Sequence, residues 1–211
     1  CSEYAGKWCF GKRALEKGKI KIIRNAIDLE KYTYSDEIRT SIRNKMGWNG
    51  KFVIGHGGRF TAQKNHKFII EVFNEIHRVC PQAILVLAGD GHLKKIIEEY
   101  VDNLGLTNYV QFLGVRFDMN QLMQGMDVFL FPSLYEGFGN VITEAQAVGL
   151  QCVVSSSVPK EVKMTELVDF MLLNESANKW AQSILKYKNG YKRRNTHDEL
   201  KNAGYEIKTA V

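Results

Sequence analysis

Two short stretches of this chain concentrate residues able to do chemistry. The first, GHGGRFTAQKN (residues 55–65), follows the apolar run FVI and places Arg59 and Lys64 behind flexible glycines. A guanidinium grips anionic oxygens at two points, and an ammonium adds a compact point charge. The second, SLYEGFGNVITEAQAVG (residues 133–149), follows DVFLFP and brackets a glycine-flanked Phe138 with Glu136 and Glu144. Gly137 and Gly139 let a ligand approach the backbone, since no β-carbon stands in the way. A helix opening near Asn140 would turn its free amides toward the same place and favour an anion there. A phosphate would repel carboxylates, so Glu136 and Glu144 should address something uncharged and rich in donors. Vicinal sugar hydroxyls fit. Each residue also has an ordinary reading: exposed basic side chains on a loop, and, for Glu144, a helix-surface acid favoured by the helix dipole.

The first stretch is neither of two familiar phosphate loops. The third glycine of GxGxxG is missing after Gly55 and Gly57, and a P-loop needs Gly-Lys followed by Ser or Thr. A third loop, LGVRFDM (residues 113–119), offers backbone groups and apolar side chains to a flat base. His56 and His66 flank the basic loop, where loop or helix-cap packing is their ordinary role. No Asp-x-Asp occurs and the five histidines lack ligand spacing, so no metal is expected.

The elements that must hold these loops alternate. KFVIGHG, AILVLAGDG, YVQFLG, DVFLFP and QCVVSS read as strands. Between them lie helical patterns over 65–79, over LKKIIEEYVDNLG, near Asp118 to Met123 and from Asn140 to Val148. In the first, Phe68, Ile69, Val72, Phe73, Ile76 and Val79 share one face. Such a series implies an α/β fold, a doubly wound parallel sheet covered on both faces. Ligands of such sheets sit beyond the strand carboxyl ends. KIKIIRNAID looks like a strand leading into a turn, and residues 1–18 show no clear periodicity. HDELKNAGYEIKTAV carries a helical pattern that stops without a cap, which suggests part of a larger protein.

Composition bounds the rest. The 211 residues are 45% hydrophobic and 25% charged, ample for one large domain. No apolar run is long enough to span a bilayer. The four cysteines, Cys1, Cys9, Cys80 and Cys152, lack metal spacing, and a reducing, cytoplasmic setting is expected. The net charge of +6 lies largely in residues 7–24 and 186–201. Neither stretch interleaves aromatics as a nucleic-acid platform would, so nucleic acid is not expected. Solvated faces and an anionic membrane surface remain as readings of this excess.

At this point the residues resemble a family. RNAIDLEKY, GHGGRFTAQKNH, AILVLAGDG, VQFLGV and DVFLFPSLYEGFGNVITEAQAVGLQCVVSS, in that order, are similar to the C-terminal, nucleotide-sugar-binding half of retaining GT-B glycosyltransferases of family 4. Glu136 and Glu144 match its glutamate–seven residues–glutamate signature. The segments VPKEV and NESANKWA are similar to bacterial capsule or exopolysaccharide members. The resemblance implies a Rossmann-like domain over residues 19–180. Residues 1–18 would be a remnant of a preceding domain, and residues 181–211 a tail packing back on that acceptor-binding domain. It implies that Arg59 and Lys64 neutralise the donor diphosphate and its leaving group, with Gly57 and Gly58 giving the loop room. Glu136 would hold hydroxyls of the donor sugar, and Glu144 those of the ribose. Phe138, Gly139 and Asn140 would present backbone amides, and Val115 a backbone contact to the base. The donor would be a UDP-sugar, with no cofactor and no metal. Two further readings stand beside it: a sugar-nucleotide epimerase on a GT-B-like fold, and a non-enzymatic anion-binding module.

Overall fold

The structure, a computed structural model, describes residues 2–208; Cys1 and the last three residues of the expected tail lie outside the described residues. The five expected strands form: β1 (Phe52–Gly57), β2 (Ala83–Ala88), β3 (Val110–Gly114), β4 (Val128–Phe131) and β5 (Gln151–Ser155). A sixth, β6 (Val168–Met171), joins them. All pair in parallel in the order β3-β2-β1-β4-β5-β6. Around the sheet, in chain order, lie α1 (Glu3–Phe10), α2 (Lys12–Glu16), α3 (Asp36–Met46), α4 (His66–Val79), α5 (Lys94–Asn103), α6 (Met119–Gly125), α7 (Asn140–Ala147), α8 (Ala177–Leu185) and α9 (His197–Asn202).

The apolar strands supply both faces of this sheet because successive side chains point oppositely. Ile54, Leu85, Leu130 and Val153 meet Ile69 and Phe73 of α4, Ile97 of α5 and Trp180 of α8. Val53, Val86, Phe129 and Val154 meet Ile42 of α3, Leu122 of α6 and Ile142 of α7. Each such fully buried side chain contributes about 1.5–3 kcal/mol of transfer free energy. The α4 face is shifted slightly from the one expected: Ile70 is buried and Val79 is exposed.

The termini depart further from the sequence reading. Residues 3–10 and 12–16 are helical; Ser2 caps α1, its hydroxyl accepting from Ala5 N at 3.0 Å. The stretch expected as a strand leading into a turn, residues 19–28, forms no strand and makes one bridge, Ile27 to Glu206. It has β-branched residues but no neighbouring strand edge to complete a ladder. The final helical pattern does end in a cap: α9 stops at Asn202, and Gly204 turns the chain at φ +81°. The boundary expected after residue 180 falls inside α8, with Trp180, Ala181 and Ile184 buried together. Beyond it, Leu200 packs on Leu29 and Ala147, and the Thr196 hydroxyl donates to Gln146 O at 2.7 Å.

Candidate functional site

Sheet order reverses between β1 and β4, which run side by side and lead to β2 on one hand and β5 on the other. Loops leaving two such strands diverge and open a crevice at their carboxyl ends. The two charged stretches of the sequence are those loops. They are tied together by hydrogen bonds: Leu134 N donates to Gln63 O at 2.9 Å, Gln63 Nε2 to Tyr135 O at 2.9 Å, and Asn65 Nδ2 to Pro132 O at 3.2 Å.

That lacing brings Lys64 onto Glu136. Nζ and Oε1 are 2.6 Å apart, the side chains 16% and 9% exposed, and the ammonium lies 4.6 Å above the centre of the Phe131 ring. A short charge-assisted hydrogen bond so shielded is far less screened than a surface pair. The Lys64 stem lies against Gly58. The loop behind it is clamped to its neighbour: Gly58 N donates to Ala88 O at 2.9 Å and Phe60 N to Asp90 O at 2.9 Å. Gly89, at φ +141°, sits where a β-carbon would meet Gly58 O at 2.0 Å. Arg59, at the tip, is exposed and has no side-chain partner among the described residues.

Gly139, at φ +100°, turns the chain into α7. The first amides of that helix have no intrahelical acceptor. Asn140 Oδ1 accepts from Asn25 Nδ2 at 3.0 Å, and Val141 lies beside Gly57. One turn on, Glu144 is partly buried and faces the hydroxyl of Tyr32, so its carboxyl is pushed up by burial, an effect the Tyr32 hydrogen bond partly offsets. Burial, then the neighbouring Glu144 charge, raises the Tyr32 phenol in turn. The Phe138 ring is buried and stacks on Tyr205 with centroids 5.3 Å apart, so only its backbone faces the turn. Val115 is exposed on the loop before α6, whose Met119 reaches Gly57.

Thus Lys64, Glu136 and Gly58 are in direct register, and Gly57 lies by the start of the Glu144 helix. Arg59, at the tip of the Lys64 loop, and Val115, on the loop before α6, make no hydrogen bond or ion pair with that group among the described residues. Tyr32 ends the RNAIDLEKY segment, and nothing in its spacing along the chain points to Glu144. His56 and His66 are wholly buried beneath the loop. Burial, then the other imidazole, holds His56 well below the usual histidine range; burial and Lys64 bring His66 down to about 4. An open cavity of about 650 Å³ lies beside this group, walled by Tyr4 and Trp8 of α1 and by Gln63, Tyr135 and Glu136. Among the described residues there is no group of three or more His, Cys, Asp or Glu able to hold a metal, and no helix long and apolar enough to cross a membrane.

A doubly wound parallel sheet with its charged crevice at the reversal of strand order defines a Rossmann-like, GT-B-type domain. Residues 51–189 match the family model Glycosyl transferases group 1, and the chain belongs to that family. It is 36% identical over 186 residues to EpsF of Bacillus subtilis, named as a glycosyltransferase, covering 87% of this chain and 48% of EpsF. It is 32% identical to the Escherichia coli UDP-Gal:alpha-D-GlcNAc-diphosphoundecaprenol alpha-1,3-galactosyltransferase, covering 70% of this chain and 39% of that enzyme. The chain therefore spans about half the length, or less, of these curated relatives. Among solved structures, HepE of Anabaena in complex with UDP and glucose is 28% identical with a TM-score of 0.70, covering 79% of this chain and 46% of that one. The C-terminal domain of LpcC from Francisella tularensis, 21% identical with a TM-score of 0.69, shares the fold over 86% of this chain and 100% of its own.

Proposed function

We propose that this chain is the donor-binding half of a retaining family 4 glycosyltransferase. It takes a hexose-type sugar from a UDP-sugar to a saccharide or lipid-linked acceptor in surface polysaccharide synthesis. The observation that carries the reading is the Lys64–Glu136 pair at the β1/β4 crevice, one cation and one carboxylate held at 2.6 Å. Lys64 and Arg59 neutralise the diphosphate, including the charge that grows on its oxygen as the bond to the anomeric carbon breaks. Fixed cations aimed at developing charge are a large catalytic term in a water-poor cleft. They supply the neutralisation for which other sugar transferases enlist a metal. Glu136 grasps hydroxyls of the donor sugar. Glu144, one turn into α7, takes the ribose hydroxyls, and the amides of Phe138, Gly139 and Asn140 face sugar or phosphate. Gly57 and Gly58 give the diphosphate room, and Val115 meets the base through its backbone.

The UDP bound in the HepE structures supports the choice of nucleotide. An N-terminal domain would supply the acceptor site, so this chain alone should bind donor weakly and transfer little. Exposed Trp8 and Phe10 on α1, beside Lys7, Lys12 and Arg13, favour a peripheral place at the inner face of a cytoplasmic membrane. Titrating the chain with UDP while recording amide resonances tests the site. Shifts should centre on Lys64, Gly139 and Glu144; if these stay still at saturating UDP, the assignment is wrong.

A further inference from the structure

Beneath the Lys64–Glu136 pair lies a side chain to which the proposed chemistry gives no task. His56, near the end of β1, is 0% exposed, its ring lying beside those of Phe129 and Phe131, near-parallel to both, at centroid distances of 6.1 and 5.6 Å. Its Nδ1 is 2.8 Å from Leu130 O. A carbonyl only accepts, so Nδ1 carries the proton and Nε2 of the neutral ring is a bare acceptor. Among the described residues that Nε2, sealed from solvent, has no partner, nor has either nitrogen of His66, whose ring stands edge-on at 4.9 Å. Buried acceptors without partners are rare in native cores and cost stability, so each calls for a reason.

Gly58 shows where this acceptor looks. A β-carbon built there would lie 3.0 Å from His56 Nε2, and 3.2 and 3.3 Å from Cδ and Cε of Lys64. The nitrogen and the last methylenes of the lysine thus converge on the space that glycine leaves open. The ammonium itself is turned away, onto Glu136.

We propose that His56 is a positioning residue for the diphosphate-binding lysine. When a diphosphate enters the crevice, the Lys64 ammonium leaves Glu136, turns into the space over Gly58, donates one N–H to His56 Nε2 and keeps two for phosphate oxygens. An ammonium has three donors and no acceptor, so one can be spent on orientation. A neutral acceptor directs the cation without cancelling its charge, which Glu136 cannot do. The aromatic stack keeps the imidazole from following the lysine. The inference rests on the reading of Lys64 as a diphosphate ligand.

Calorimetric titration of the 211-residue chain with UDP and with uridine separates the two. His56→Phe keeps the stacked ring and removes the acceptor. It should weaken UDP binding about 10–150-fold, the worth of one charge-assisted hydrogen bond, and leave uridine unchanged. In a Lys64→Ala background the same change should cost nothing more, because the group through which it acts is gone. Equal losses for UDP and uridine, or an undiminished loss in the Lys64→Ala background, would make His56 a packing residue and overturn the proposal. Undiminished UDP binding by His56→Phe, with Lys64→Ala defective, overturns it while leaving the Lys64 assignment standing. If Lys64→Ala binds UDP normally, the underlying reading falls as well. A second measurement needs no variant: the nitrogen-15 resonance of the unprotonated His56 Nε2 should move on addition of UDP and stay put with uridine. A resonance indifferent to UDP overturns the proposal even where His56→Phe fails to fold.

Discussion

Strand β4 begins and ends in ionic clusters, and the two are built differently. At its start, Asp127 receives Arg39 at 2.5 Å, Arg43 at 3.2 Å and the amide of Val53 at 2.8 Å. The guanidinium groups then spend their other donors on carbonyls: Arg39 on Gln124 and Met126, Arg43 on Gly125, Trp48 and Lys51. Partly buried Arg193 adds donors to Val148 and Met126. At the other end, the Lys64 ammonium has one hydrogen-bond partner among the described residues, Glu136, and the face of Phe131. Arg59 beside it has none. A charge saturated by backbone acceptors is part of the scaffold. A charge held by one exchangeable carboxylate, at the mouth of a crevice, is available to a ligand.

The sharpest way to break this distinction is at the scaffold end. Asp127→Ala strands two partly buried arginines, and losing one partner of a buried pair costs about 3–5 kcal/mol. Urea unfolding should show that loss, while UDP affinity under folding conditions stays within about twofold. A specific fall in UDP affinity would mean that the two ends of β4 are not independent.

The next test concerns the neutral histidines under the ligand end. His66 has a folded-state pKa of about 4, set by burial and then by Lys64. The unfolded chain protonates near 6.5, so below that pH it binds more protons than the fold does. Stability should therefore be full above pH 6.5 and fall as the pH drops toward 4, by on the order of 2–3 kcal/mol for this group. His66→Phe, which keeps the ring on Phe60, should flatten the slope. An unchanged slope would show that His66 is not the group responsible.

How much of this was legible in the sequence follows from what each feature depends on. The five strands and the helices between them are stated by local apolar runs, because a sheet covered on both faces needs little else. β6 escaped notice: VDFM is four residues long, only partly buried beyond Val168, and its identity rests on pairing with β5. Residues 19–28 failed in the opposite sense, having strand composition but no neighbour to pair with. α3 had its signals, Ser35 as cap and Gly47 as stop, with Arg39 and Arg43 aimed at an aspartate more than eighty residues away. The candidate site was half visible. Residue types and order singled out Lys64, Glu136 and Glu144. That Lys64 spends its charge on Glu136, and that Tyr32 caps Glu144, are long-range pairings that spacing along the chain does not encode.

Glu144 sharpens the comparison at an intermediate position, since it is partly buried and has no cationic partner among the described residues. Burial raises its carboxyl pKa. A carboxyl raised in the fold gives stability present below the unfolded value near 4.3, and lost as pH rises through the folded value. Glu144→Gln removes that loss and should raise the melting temperature at neutral pH. It should also weaken UDP binding about tenfold, the worth of a carboxylate shared between two ribose hydroxyls. Stability and affinity moving in the same direction would argue that Glu144 is structural.

Glu136→Gln makes the smallest change and probes the exchange directly. In the ligand-free chain the Lys64–Glu136 pair must be broken before either group can serve a donor. Removing the carboxylate charge leaves a mostly buried ammonium without a counter-ion, a state costly enough that an incoming phosphate is favoured. UDP, which has no sugar for Glu136 to hold, should bind about 2–5-fold tighter to the variant. A UDP-hexose should gain less, because the amide accepts its hydroxyls less strongly than a carboxylate does. The diagnostic quantity is the ratio of the two affinities in variant and wild type, which cancels any common change in the fold. A Glu136→Gln chain that binds UDP more weakly than wild type would mean that the carboxylate holds Lys64 ready for phosphate, and that the pair belongs with the scaffold cluster after all.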